Sequence, residues 1–125
     1  MEKKILVVDD DATDRKRMTT ALAKEGYSIL EASSAEEALI QARETLPDLV
    51  ITDVVMPDST GFDVCRRIKE AFQPQPPLVL IVTGKAEAIN IHLANQMGAD
   101  GFEAKTSDMS CILKAVRYLF SVGSN

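Results

Sequence analysis

Two rhythms of apolar and polar positions alternate along this chain. Short apolar runs at 4–8, 27–31, 49–53, 78–83 and 101–104 read as strands, and the first, third and fourth are near-continuous in Val, Ile and Leu, as strands covered on both faces should be. Helical spacing fills the intervals. Residues 14–25 carry Met18, Ala21 and Leu22 on one stripe and stop at Gly26, suited to the left-handed position after a helix. From Ser34 a capping box with Glu37 opens a helix whose apolar face holds Ala38, Leu39, Ala42 and Leu46. A third pattern, 62–72, carries Cys65 and Ile68 in phase and ends before Pro74, Pro76 and Pro77, which form a rigid loop or, in the rival reading, a polyproline ligand. The fourth, 86–97, has Ile89, Leu93 and Met97 in phase and stops at Gly98. The fifth, 108–121, has Met109, Ile112, Leu113, Val116 and Phe120 in phase. Five strand–helix units in alternation predict a doubly wound α/β fold with one parallel five-stranded sheet.

The length of 125 residues allows one core and one domain, 1–125, with 121–125 as either a terminus or the start of a linker. With 14 Lys plus Arg against 19 Asp plus Glu, the net charge is −5, and no cationic block stands ready to displace counterions from nucleic acid or to meet an anionic membrane. Cys65 and Cys111 fall inside apolar-periodic segments, away from any metal-ligand spacing, and are expected to be buried small hydrophobes. No signal peptide or spanning segment stands out, so the expected compartment is the cytoplasm.

In an open parallel sheet the ligand site lies at the carboxyl ends of the strands, where strand order reverses. The first strand ends in Asp9, Asp10 and Asp11, the third in Asp53, the fourth in Thr83, and the fifth runs out into Lys105. Asp11 is read as a helix cap or turn former. If the first and third strands are neighbours, Asp9, Asp10 and Asp53 crowd negative charge that calls for a hard divalent cation, and Mg²⁺, which keeps its waters, suits so sparse a set of ligands. A metal-bound carboxylate beside an ammonium and a hydroxyl has the parts to receive a phosphoryl group, with Asp53 as nucleophile, Lys105 as charge stabiliser and Thr83 as donor. Singly, Thr83 fits strand preference and Lys105 a solvated surface; their joint placement on one rim is what counts. No glycine-rich phosphate loop follows the first strand, and His92, the sole histidine, falls in the fourth helical pattern, so nucleotide binding and His-based catalysis lack their parts.

Four ordered motifs, Ile5-Leu-Val-Val-Asp-Asp-Asp11, Leu49-Val-Ile-Thr-Asp-Val-Val-Met-Pro57 with Gly61, Val79-Leu-Ile-Val-Thr-Gly84 and Gly98-Ala-Asp-Gly-Phe-Glu-Ala-Lys105, resemble the response-regulator receiver domains of two-component signalling. The resemblance covers essentially the whole chain. It implies the flavodoxin-like strand order 2-1-3-4-5. It further implies that Asp53 accepts a phosphoryl group from a sensor histidine kinase or phosphotransfer protein. Mg²⁺, for which Mn²⁺ substitutes, would be held directly by Asp10, Asp53 and the Val55 backbone carbonyl, and by Asp9 through water. Thr83 and Lys105 would bind phosphoryl oxygens, and Phe102 would be the switch aromatic that follows Thr83, in rivalry with plain core filling. The surface of fourth helix, fifth strand and fifth helix would then change its preference for an output protein or fused domain, and a phosphorylation-dependent homodimer stays open. No enzyme of external substrates is implied, only catalysis of the chain's own aspartyl phosphorylation and dephosphorylation.

The sequence departs from the family pattern at Thr106, where proline usually follows the lysine, and at Phe102, where many members carry tyrosine. Val55 and Lys85 stand at positions that tune phosphoryl lifetime, and apolar Val55 is expected to position attacking water poorly and lengthen it. Two other readings remain. One is a Mg²⁺-dependent aspartyl phosphatase, which would lack an acid at position 55; the other is a phosphorylation-independent pseudo-receiver, if the Thr106 loop misplaces Lys105.

Overall fold

A computed structural model describes residues 2–84, 96–106 and 108–122. Its sheet has five parallel strands in the order β2-β1-β3-β4-β5, formed by β1 Lys4–Val8, β2 Ser28–Ala32, β3 Leu49–Asp53, β4 Leu78–Thr83 and β5 Gly101–Ala104. Four strands keep the predicted bounds. The edge strand β2 begins one residue later than expected, because pairing Lys4 with Ser28 and Val8 with Ala32 buries the Ala32 methyl.

Alternation along the strands sorts the core into two layers. Leu6, Val8, Val50, Val79 and Ile81 face α2 (Ala35–Thr45) and α3 (Gly61–Ala71). Ile5, Val7, Ile51, Leu80 and Val82 face α1 (Ala12–Lys24) and the last helix, Ser110–Val122. The three central strands are therefore apolar at nearly every position, since each face of the sheet is roofed. Burying one such side chain is worth on the order of 2 kcal/mol.

Local chemistry sets the helix ends. Asp11 accepts hydrogen bonds from the amides of Thr13 and Asp14, so α1 starts two residues before the predicted 14, and the cap reading of Asp11 agrees with this geometry. Gly26, at φ +93°, takes the left-handed turn that follows α1. Ser34 caps the Glu37 amide as expected, but Glu37 reaches one residue farther back than a capping box would, accepting from the Ser33 amide at 2.6 Å. Leu46, expected on the apolar face of α2, is exposed instead, because it closes the helix in a left-handed conformation.

Other expectations need similar correction. Cys65 is buried, but Cys111 is only half-buried on the last helix, where Leu119 takes a deeper place than Leu113 or Phe120. Residues 85–95, with Lys85 and with Ile89, His92 and Leu93 of the fourth helical pattern, lie outside the described residues, whereas Met97 of that pattern is half-buried against the layer facing α2 and α3. Among the described residues, no helix is long and apolar enough to cross a membrane.

Candidate functional site

Parallel pairing puts the carboxyl ends of β1, β3, β4 and β5 on one rim, and the side chains that follow these strands meet there. Asp9, fully buried, ends the apolar run of β1. Its Oδ1 accepts the Asp11 amide at 2.9 Å and its Oδ2 accepts the Lys105 ammonium at 2.7 Å. Arg15 of α1 braces the same turn, donating to the Asp9 carbonyl at 2.8 Å and to Glu31 of β2 at 3.0 Å. Asp53 ends β3; its Oδ1 accepts the Val54 amide at 2.9 Å, and its Oδ2 stands 3.5 Å from Lys105 Nζ. Exposed Asp10 completes a group in which one carboxylate oxygen from each of Asp9, Asp10 and Asp53 lies within 4.8 Å of the others.

Thr83 ends β4 and is buried; its carbonyl accepts the Lys105 amide at 2.9 Å, which fixes where the lysine leaves β5. The cis peptide among the described residues is Gln73–Pro74, so Lys105–Thr106 is trans, and Lys105 reaches the carboxylates all the same. Phe102 of β5 is half-buried, its ring centroid 6.3 Å from that of Phe62, on the layer that packs against α2 and α3. Such packing gives the core-filling role physical substance.

The loop between β3 and α3 is drawn tightly over Asp53. Gly61 donates its amide to the Val54 carbonyl at 2.7 Å, and a Cβ at Gly61 would collide with the Asp53 carbonyl oxygen. Val55 is exposed and bridged to Thr60. Farther along, Asp58 accepts from the amides of Ala35 and Glu36 at 3.0 and 3.1 Å, tying the loop to the start of α2. These hydrogen bonds hold the Asp58 carboxyl below the usual carboxylate range, the Ala35 amide first among them.

Charge is out of balance at the rim. Burial pushes the proton affinities of Asp9 and Asp53 above the ordinary aspartate value, and Lys105 only partly offsets this. Burial alone would lower the Lys105 ammonium, yet hydrogen bonds to Asp9 and Asp14, with the charges of Asp9 and Asp53, outweigh it and push it up to about 12. One permanent cation thus faces more carboxylates than it can neutralise. Three convergent hard oxygen ligands with little else suit a small divalent ion that keeps part of its water shell, so the donor set fits Mg²⁺.

Arg15, Asp14 and Asp58 were not among the sequence expectations. Asp14 of α1 accepts from Lys105 at 3.0 Å, a contact across 91 positions that no local motif announces. Its place four residues after Asp10, in the first turn of a helix rising from the rim, is the one signal the sequence holds. Asp58 is likewise legible only as a polar residue in a loop.

The family model for the response regulator receiver domain matches residues 5–117. The alkaline phosphatase synthesis transcriptional regulatory protein PhoP of Bacillus subtilis is 36% identical over 105 residues, which are 84% of this chain and 43% of PhoP. Protein PilH of Pseudomonas aeruginosa is 31% identical over 113 residues, 90% of this chain and 93% of PilH. A crystal structure of a response regulator receiver domain protein from Clostridium thermocellum superposes with a TM-score of 0.86 at 32% identity, covering 98% of this chain and 97% of that one. The chain spans 43% and 40% of the length of the curated relatives PhoP and ResD.

Proposed function

The chain belongs to the response regulator receiver family, and on that premise we propose that it takes a phosphoryl group onto Asp53 from the phosphohistidine of a sensor kinase or phosphotransfer protein. Receiver domains act as signal transducers between histidine kinases and output domains, and they generally use Mg²⁺ at an acidic cluster. The observation that carries the finer reading is the convergence of Asp9, Asp10 and Asp53 within 4.8 Å, with the Lys105 ammonium 3.5 Å from Asp53.

In this reading an Asp53 carboxylate oxygen attacks phosphorus in line with the donor. The new P–O bond forms as the P–N bond to the donor imidazole breaks, and the imidazole leaves with the electron pair and takes up a proton from solvent. Lys105 and the Thr83 hydroxyl meet the charge gathering on the phosphoryl oxygens. Asp10, Asp53 and the Val55 carbonyl would hold Mg²⁺, with Asp9 acting through water. When bound, Mg²⁺ would neutralise the crowded carboxylates and draw charge from the phosphoryl oxygens. Buried Asp9 keeps Lys105 ionised and close. Hydrolysis of the acyl phosphate returns the chain to its starting state, and apolar Val55 offers the attacking water no hydrogen bond, which lengthens the phosphoryl lifetime. Phe102 following Thr83, with a changed preference for output partners or a second copy, completes the proposed switch.

The test is intact mass after incubation with Mg²⁺ and acetyl phosphate, for the parent and for Asp53→Asn. One hydroxylamine-labile phosphoryl group on the parent and none on the variant is the expected result. Equal labelling of both would move the acceptor elsewhere, and no labelling of a folded, Mg²⁺-binding parent by either acetyl phosphate or a kinase donor would favour a pseudo-receiver.

A further inference from the structure

The ammonium of Lys105 has its short hydrogen bonds to Asp9 and Asp14, at 2.7 and 3.0 Å, and not to Asp53 at 3.5 Å. Nothing in the chemistry above uses Asp14. We propose that Asp14 is a positioning residue that restrains Lys105 in the unphosphorylated protein, and that full engagement of the phosphoryl oxygens by Lys105 requires this one contact to give way. The inference rests on Asp53 being the phosphoacceptor.

The donor count supports it first. An ammonium has three N–H donors, and two are committed to Asp9 and Asp14. A phosphoryl group on Asp53 presents its oxygens beyond the present carboxylate, so Lys105 can meet more than one of them only by releasing a carboxylate.

Burial decides which one. The Asp9 side chain is wholly buried, and losing Lys105 would leave a desolvated charge whose remaining direct hydrogen bond, among the described residues, is to the Asp11 amide. Asp14 is 30% exposed, with water at hand and the Arg17 guanidinium 3.7 Å away on the same face of α1. The Asp14 bond is therefore the one that gives way.

Electrostatics points the same way. The Asp14 carboxylate shares the Lys105 ammonium with Asp9 and Asp53, so its charge is felt at the site. Phosphorylation replaces the single charge of the Asp53 carboxylate with an acyl phosphate of roughly −1.5 to −2, so Asp14 favours the unphosphorylated form twice: it holds the lysine back and it repels the more negative product.

Asp14→Asn keeps the shape and removes the charge. With acetyl phosphate, Mg²⁺ and the full chain, the variant is expected to take up phosphoryl about two- to fivefold faster than the parent, the range of a part-exposed ion pair. Loss of the group after donor removal starts with Lys105 already on the phosphoryl oxygens, and it should not be accelerated. A merely structural residue would not speed uptake when neutralised. Asp14→Glu, which restores the carboxylate, should return uptake toward the parent rate. Before any donor is added, the Lys105 ammonium resonance, shielded by two carboxylates in the parent, should broaden through water exchange in Asp14→Asn. Parent and Asp14→Asn labelling at equal rates would overturn this proposal alone, whereas a folded, Mg²⁺-binding parent that takes up nothing from acetyl phosphate or from a kinase donor would overturn the phosphoacceptor reading with it.

Discussion

Two lysines staple the two ends of this sheet, and they do so under opposite accounting. At the amino end of β4, Lys69 of α3 donates to Asp100 at 2.6 Å and to the Pro77 carbonyl at 2.9 Å, and the same Asp100 oxygen accepts the Val79 amide at 2.8 Å. One cation meets one carboxylate, and the remaining bonds go to neutral backbone. At the carboxyl rim Lys105 is shared among Asp9, Asp14 and Asp53, with Asp10 beside them. The first arrangement is closed; the second keeps negative charge in excess, which the fold tolerates at some loss of stability and which a metal and a phosphoryl group can exploit. Similar distances therefore say little about role, and the charge left over says much.

The largest expected effect separates the two lysines by function. Lys105→Met should slow phosphoryl uptake by about 10²-fold, the range for losing one preorganised donor to a transition-state oxygen, while Lys69→Met should label at the parent rate; time courses of intact mass decide it. A drop of similar size in Lys69→Met, with its fold intact, would break the distinction.

The next contrast is one of sign. Asp100→Asn weakens the closed staple and should lower stability by about 1–2 kcal/mol. Asp53→Asn relieves repulsion and should raise Mg²⁺-free stability by about 1 kcal/mol. Chemical denaturation of both variants without Mg²⁺ measures the pair.

The smallest effect is in the pH dependence. Because burial raises the Asp9 and Asp53 carboxyls above 3.8, the folded protein binds these protons more tightly than the unfolded chain. Their contribution to stability is present in full below 3.8 and is lost as pH rises through the folded-state values. Mg²⁺ binds the ionised carboxylates and should restore what is lost, so its stabilising increment should grow as pH rises from 3.8. Thermal melts across that range, with and without Mg²⁺, should show the increment kept in Asp100→Asn and reduced in Asp53→Asn.

Much of this was legible in the sequence for physical reasons. Strands buried on both faces write themselves as continuous apolar runs, so the bounds of β1, β3 and β4 follow from the sequence; of the two half-exposed edge strands, β5 keeps its expected bounds and β2 is shifted by one. Each aspartate or lysine that ends a strand on the rim was visible from its place in the chain. What stayed hidden depends on tertiary distance. Asp14 matters because a lysine 91 positions away reaches it, and Leu46 left its apolar face because a helix end needed a left-handed residue. The meaning of Gly61 also waited for the fold, since only the approach of its backbone to the Asp53 carbonyl makes a side chain impossible there.

The clasp of Asp58 on α2 carries a practical consequence. The amide hydrogens of Ala35 and Glu36 are shielded by a carboxylate borrowed from the loop that folds over Asp53. Their exchange with deuterated solvent should therefore report the free energy of opening that loop. Two backbone positions, with no label attached, would read how firmly the loop is held over Asp53.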